Sequence, residues 1–112
     1  MRDLSSHVAE ELCRSRHAGD PATAFAHLER AHILSQYATR DHVRVHVAML
    51  LWGIDQGDWR EVTGQLLRIV AAATKTAFGW VPVGNTGGAN VSPIRPMALP
   101  DDLAQIIAEA RR

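Results

Sequence analysis

Cysteine is nearly absent. Cys13 is the only one among 112 residues, so no disulfide can form within the chain, and a reducing compartment is the natural setting. Net charge is absent too. Lys+Arg and Asp+Glu are both 12, so no overall field attracts nucleic acid or an anionic membrane, and neither is expected as a partner. The first residues, MRDLSSHVAEEL, contain no apolar signal core. Apolar runs such as Ile69 to Ala73 are far too short to span a bilayer. The expectation is a cytoplasmic protein of one domain, with a core small enough to gain from a partner or a second copy.

Histidine, by contrast, is plentiful at six residues. Four lie in the stretch Ala26 to Met49, and the rest of the chain is arranged around that stretch. Leu4, Val8 and Leu12 recur every four residues and predict a first helix from Asp3 to about His17, with Gly19 ending it. Cys13 sits beside Leu12 and is expected to be buried. Asp20-Pro21 opens a second helix to about Tyr37, Asp as cap and Pro at the first helical position, with Phe25, Leu28 and Leu34 as core candidates. Ala38 to Asp41 reads as a turn, with Thr39 or Asp41 as the next cap. A third helix from His42 to Asp55 carries the apolar row Val43, Val47, Leu50 and Ile54. Gln56-Gly57 breaks it, and Asp58 with Glu61 begins a fourth helix on the pattern of a capping box. Val62, Leu66, Ile69, Val70 and Ala73 are then expected to face inward, to about Ala77.

HAGDPATAFAHLERA, from His17, and DQGDWREVTGQLLRI, from Asp55, match at an offset of 38 residues. Gly19 then corresponds to Gly57, Asp20 to Asp58, Leu28 to Leu66 and Arg30 to Arg68. The period is that of tetratricopeptide-like helix pairs, although two unrelated hairpins with Gly-Asp turns would also align. The segment 78–100 holds four of the five prolines and four of the eight glycines, too many breakers for a helix. Its apolar residues, Trp80, Val81, Val83, Val91, Ile94, Met97 and Leu99, suit an ordered segment crossing the helices. Asp101 or Asp102 caps a last short helix, with Leu103, Ile106 and Ile107 inward and Arg111 and Arg112 at its C-terminal end. The expected fold is all-α. Residues 1–77 form a four-helix core of two antiparallel hairpins with tetratricopeptide-like stacking, 78–100 an ordered Gly/Pro-rich crossing segment and 101–112 a C-terminal helix.

One constellation carries chemistry. His42 and His46 are four apart and Glu29 and His32 three apart, so each pair shares one helix face. A hairpin between them brings the faces together. Histidines at i and i+4 ligate one metal from a single helix. The sequence is not HExxH, which excludes that metalloprotease pattern, and a single Glu-x-x-His does not make the four-helix di-metal site, which uses two. The economical arrangement is a mononuclear site from His32, His42 and His46, with Glu29 as a fourth or supporting group. The plain alternatives are partly exposed histidines beside an apolar stripe, a buried His32 bonded to a carbonyl, and Glu29 paired with Arg30 or Arg44. A nitrogen- and oxygen-rich set suits zinc, iron, cobalt or nickel; Met49, one turn beyond His46, would be needed to favour copper and reads as core. His7 with Glu10 and Glu11 reads as a solvated pair, His27 as pointing away from the face of His32, and His17 as a helix-end charge. Gly84 to Ser92 has backbone donors for an anion but lacks the lysine and flanking elements of a P-loop.

LERAHILSQ (Leu28 to Gln36), HVRVHVAML (His42 to Leu50) and GNTGGANVSPIRPM (Gly84 to Met97), in that order, resemble a family of small bacterial proteins, domain of unknown function 3703. The resemblance covers roughly residues 18–103. It carries no assigned activity. The family's association with neighbouring metal-efflux and metal-responsive regulatory genes implies a metal-related role and assigns no ligand.

Three functional classes follow. The leading one binds a divalent transition metal through His32, His42, His46 and Glu29, in metal homeostasis. The second is a metal-free interaction module, presenting the helix pairs or Trp52, Trp59 and Trp80 to a protein partner or a second copy. The third is a small metal-dependent or acid/base enzyme using the same cluster in a pocket closed by Gly84 to Met97. Separation of His32 from His42 and His46 by more than about 10 Å would exclude a shared metal shell of ~2 Å bonds.

Overall fold

The computed structural model describes residues 3–75 and 96–111. Five helices and no strand occur among them: α1 (Leu4–Arg16), α2 (Pro21–Ser35), α3 (Thr39–Gln56), α4 (Trp59–Lys75) and α5 (Asp101–Ala110). The fold is all-α. The expectations for 78–95, including Trp80 and the Gly84 to Ser92 run, and for the side chain of Ala73, lie outside the described residues.

The helix starts follow local chemistry. Asp3 accepts from the Ser6 backbone N–H at 2.8 Å, Asp20 from that of Thr23 at 2.8 Å, and Asp58 from that of Glu61 at 3.0 Å. Each satisfies a donor that the first turn leaves open. Two expected caps are corrected. Neither Thr39 nor Asp41 caps α3; Ala38 holds that position without a side-chain bond, and Thr39 to Asp41 are already helical. Pro100, not Asp101 or Asp102, precedes α5, and both aspartates occupy its first turn. Acidic side chains there interact with the helix dipole without having to cap it. The two Gly-Asp junctions also differ. Gly57 ends α3 in the left-handed region at φ 67°, the αL cap glycine favours. α1 instead ends at His17, two residues before Gly19.

α1 packs against α2, α3 against α4, and α2 against α3; α5 lies on α1 and α2. The apolar core collects Val8, Leu12, Leu28, Ala31, Ile33, Leu34, Val45, Met49, Leu103 and Ile107. The expected inward positions of α1 and α5 are therefore found, and Leu28 and Leu34 of α2 as well, with Phe25 half-buried against Trp52 at 4.5 Å between ring centroids. Arg30 ties α5 down by donating to Asp102, and Arg111 lies 4.2 Å over the Tyr37 ring. Cys13 is exposed, against expectation, because one step beyond Leu12 turns it about 100° off the buried stripe.

The largest correction concerns α3 and α4. The buried residues of α3 are Asp41, His42, Val45, His46, Met49 and Gly53, whereas Val47 and Ile54 of the expected row are exposed. α4 buries Glu61, Gln65 and Arg68 and exposes Leu66, Leu67 and Val70. Of the two expected rows, Val43, Leu50, Val62 and Ile69 are half-buried, while Val47, Ile54, Leu66 and Val70 are turned outward. The inward face of α4 is polar and that of α3 is mixed, Val45 and Met49 joining the core beside His42 and His46; the polar groups bond one another, which offsets the cost of burying them.

Candidate metal centre

His32 lies on the last turn of α2 and His42 on the first turn of α3, separated by the short connection Gln36 to Ala38. That brevity sets the two helix ends side by side, and the next turn of α3 adds His46. The three side chains are 3%, 8% and 2% exposed. Their Nε2 atoms form a nearly equilateral triangle: 3.0 Å from His42 to His32, 3.1 Å from His32 to His46 and 3.2 Å from His46 to His42. Ring centroids stand 4.7–4.9 Å apart, and His32 meets both other rings edge-on. Among the described residues this is the group of three or more metal-ligating side chains whose ligand atoms converge, all within 4.8 Å.

α4 orients the site from behind. Gln65 Nε2 donates to the Glu61 carboxylate, an acceptor, which leaves Gln65 Oε1 facing His46 Nδ1 at 2.5 Å. An amide oxygen only accepts, so His46 carries its proton on Nδ1, and its Nε2 lone pair points into the triangle. A ring nitrogen held in this way by a hydrogen bond is how metal-ligating histidines are fixed in tautomer and orientation. Arg68 completes the polar face, donating to the Gly64 carbonyl at 3.2 Å.

Burial holds the His42 and His46 imidazoles neutral. His42 is lowered to about 3, by desolvation first and by the neighbouring His46 second. His46 is lowered to about 4 by desolvation; the Gln65 hydrogen bond opposes this and the Arg68 charge adds to it. Neutral imidazole is the form that binds a metal.

The remaining expected groups sort clearly. His32, His42 and His46 come together as the spacing required, and they are buried, not half-exposed beside an apolar stripe. Glu29, one turn before His32, is half-buried and not a member of the converging group. Arg30 pairs with Glu11 and Asp102. Glu10 pairs with Arg14, and Glu11 is buried between Arg14, Arg30 and His27, with His27 Nδ1 at 2.8 Å. His27 thus points away from His32 toward α1. His17 Nδ1 lies 2.9 Å from the Cys13 carbonyl at the end of α1, and Met49 is core. Gln65 and Arg68 were missed by sequence reasoning, and Glu61, read as part of the capping pattern and as a carboxylate the fourth helix could supply, was not seen as the support of Gln65. Their own helical spacing, 61-65-68, was the available signal: a polar stripe as regular as the apolar one beside it.

A cleft of about 630 Å³ opens elsewhere, lined among others by Leu12, Arg16, Arg44, Val47, Leu51 and Trp52, and by none of the three histidines. No helix among the described residues is long and apolar enough to cross a membrane.

Neither curated proteins nor solved structures provide a match to this chain. Residues 2–107 match the family described as "Protein of unknown function (DUF3703)". The blocks around the three histidines and the glycine-rich segment had suggested that family, and the match spans nearly the whole sequence: the chain belongs to DUF3703.

Proposed function

We infer that the protein binds one divalent transition-metal ion through the Nε2 atoms of His32, His42 and His46. The observation that carries the reading is the triangle of three buried Nε2 atoms with sides of 3.0–3.2 Å. Neutral imidazoles have one N–H each. With its proton on Nδ1, His46 turns its Nε2 lone pair toward the ring nitrogens of His32 and His42, where a cation would accept it. Nitrogens 3.0–3.2 Å apart lie within reach of one ion at metal–nitrogen bonds of ~2.1 Å, so His32, His42 and His46 would hold it together. Three imidazoles favour zinc, iron, cobalt or nickel over a thiolate-seeking ion, with copper less favoured.

Glu29 as a supporting ligand rests on its spacing from His32 alone. We read α1–α2 and α3–α4 as two stacked helix pairs, tetratricopeptide-like, with the site closing the junction between them. Holding or sensing the metal in homeostasis is the reading that the buried three-histidine group supports.

The test is elemental analysis of tag-free protein prepared without chelator, beside a His42→Ala/His46→Ala variant and with circular dichroism to verify folding. Near-stoichiometric metal is expected in the wild type and none in the folded variant. Gln65→Leu is expected to keep the ligands and weaken affinity ~10–100-fold, while Glu29→Gln reads any contribution of that carboxylate. Wild-type protein that holds no metal after reconstitution with zinc, iron, cobalt, nickel and copper ends the reading.

A further inference from the structure

The inward face of α3 and α4 has a counterpart. Val47, Leu51 and Ile54 are spaced four and three apart on one exposed face of α3. On α4, Trp59, Leu66 and Val70 are seven and four apart on one face, and they are 67%, 53% and 70% exposed. The two helices approach closely where Gly53 meets Val62. Among the described helices α4 packs against α3 alone, so no other helix covers this side.

We propose that this outer face of α3 and α4 is a homodimer interface, in which a second copy of the chain docks its own α3–α4 pair by a two-fold axis. Area is the first argument. The six side chains leave on the order of 700 Å² open, more than the ~300–600 Å² typical of a monomer's largest apolar patch and close to the ~800 Å² per partner of a standard interface. Charge is the second. Exposed Arg44 precedes the α3 stripe by three residues, and exposed Asp55 follows it by one. A two-fold axis passing near Leu50, with the two α3 helices antiparallel, sets Arg44 of each copy against Asp55 of the other. Such an isologous contact is self-complementary and closes at two. The chain's formal net charge of zero adds no long-range repulsion between copies. The inference does not rest on the metal reading; it uses the opposite face of the same helices.

Sedimentation equilibrium of the full-length, metal-free chain over a dilution series provides the test. The expected wild-type species has twice the 12.3 kDa chain mass at micromolar concentration. Leu51→Glu/Leu66→Glu is expected to raise the dimer dissociation constant at least 100-fold with unchanged helical content. Arg44→Glu alone weakens the dimer, and Arg44→Glu/Asp55→Arg restores it. A wild type that remains monomeric across the series overturns the proposal. So does a Leu51→Glu/Leu66→Glu chain that stays dimeric, or one that loses its helical structure, since the face would then be covered by its own chain. Failure of the charge exchange to restore the dimer overturns the two-fold pairing.

Discussion

At the scale of single residues, the histidine triangle trades stability for readiness. His42 and His46 are held neutral by burial, with folded values of about 3 and about 4. In the unfolded chain each takes up a proton near its ordinary 6.5. Between those limits the unfolded state binds more protons than the folded one, so stability is fully present above pH 6.5 and is lost as pH falls toward 4. At pH 5 the loss is roughly 2 kcal/mol for each histidine, set almost wholly by the unfolded value. Urea titrations of chelator-treated protein at pH 7.5 and pH 5.0 check this, with a clearly lower midpoint expected at pH 5.0. The His42→Ala/His46→Ala variant is expected to lose most of that pH dependence. Equal midpoints for the wild type would show that the imidazoles are not buried as neutral groups. The convergence of His32, His42 and His46 was legible because it needs only helical spacing and a short connection. The Gln65–Glu61 support was not, because nothing in a polar stripe says which side of a helix the core lies on.

At the scale of elements, helix positions were legible and helix faces only partly so. Asp-capped starts and the Gly57 stop follow from local chemistry that acts within a few residues, and they appear in the structure with small shifts. α1 and α5 bury their apolar stripes in the core, and Glu11, Asp102 and Arg111 add polar ties to α2 and Tyr37. α4 carries one polar and one apolar stripe and α3 a mixed buried face beside an apolar one, and only tertiary context decides which face is buried. Gly53 is the position where this pairing is tightest. A Cβ there would stand 3.2 Å from Val62 Cγ2, 3.3 Å from the Val62 backbone N and 3.4 Å from the Glu61 Cβ. A backbone nitrogen cannot swing aside as a side-chain end can. Gly53→Leu gains about 1 kcal/mol of helix propensity but overpacks the crossing at a cost of ~1–3 kcal/mol or more. A net fall in the urea midpoint is expected, together with weaker metal binding as Gln65 is levered away from His46. A variant as stable as the wild type would mean that α4 can slide along α3 freely.

At the scale of the whole molecule, the candidate ion would act as a clasp. His32 belongs to α2, which packs with α1 and α5; His42 and His46 belong to α3, which carries α4. A bound ion joins the two parts of the bundle at their one extensive junction, and because the unfolded chain cannot present the triangle, binding is coupled to folding. By mass action a ligand at a thousand times its dissociation constant stabilises by ~4 kcal/mol, and for a domain of about 100 residues each kcal/mol shifts Tm by ~4–8 °C. Thermal unfolding at pH 7.5 with excess zinc, against the same protein in chelator, is therefore expected to show a rise of roughly 15–30 °C. Because the clasp spans both halves, α1 and α4 should gain hydrogen-exchange protection together, although neither supplies a ligand. Protection confined to the turns bearing His32 and His42 would instead describe an ion held locally, leaving the two halves to open independently.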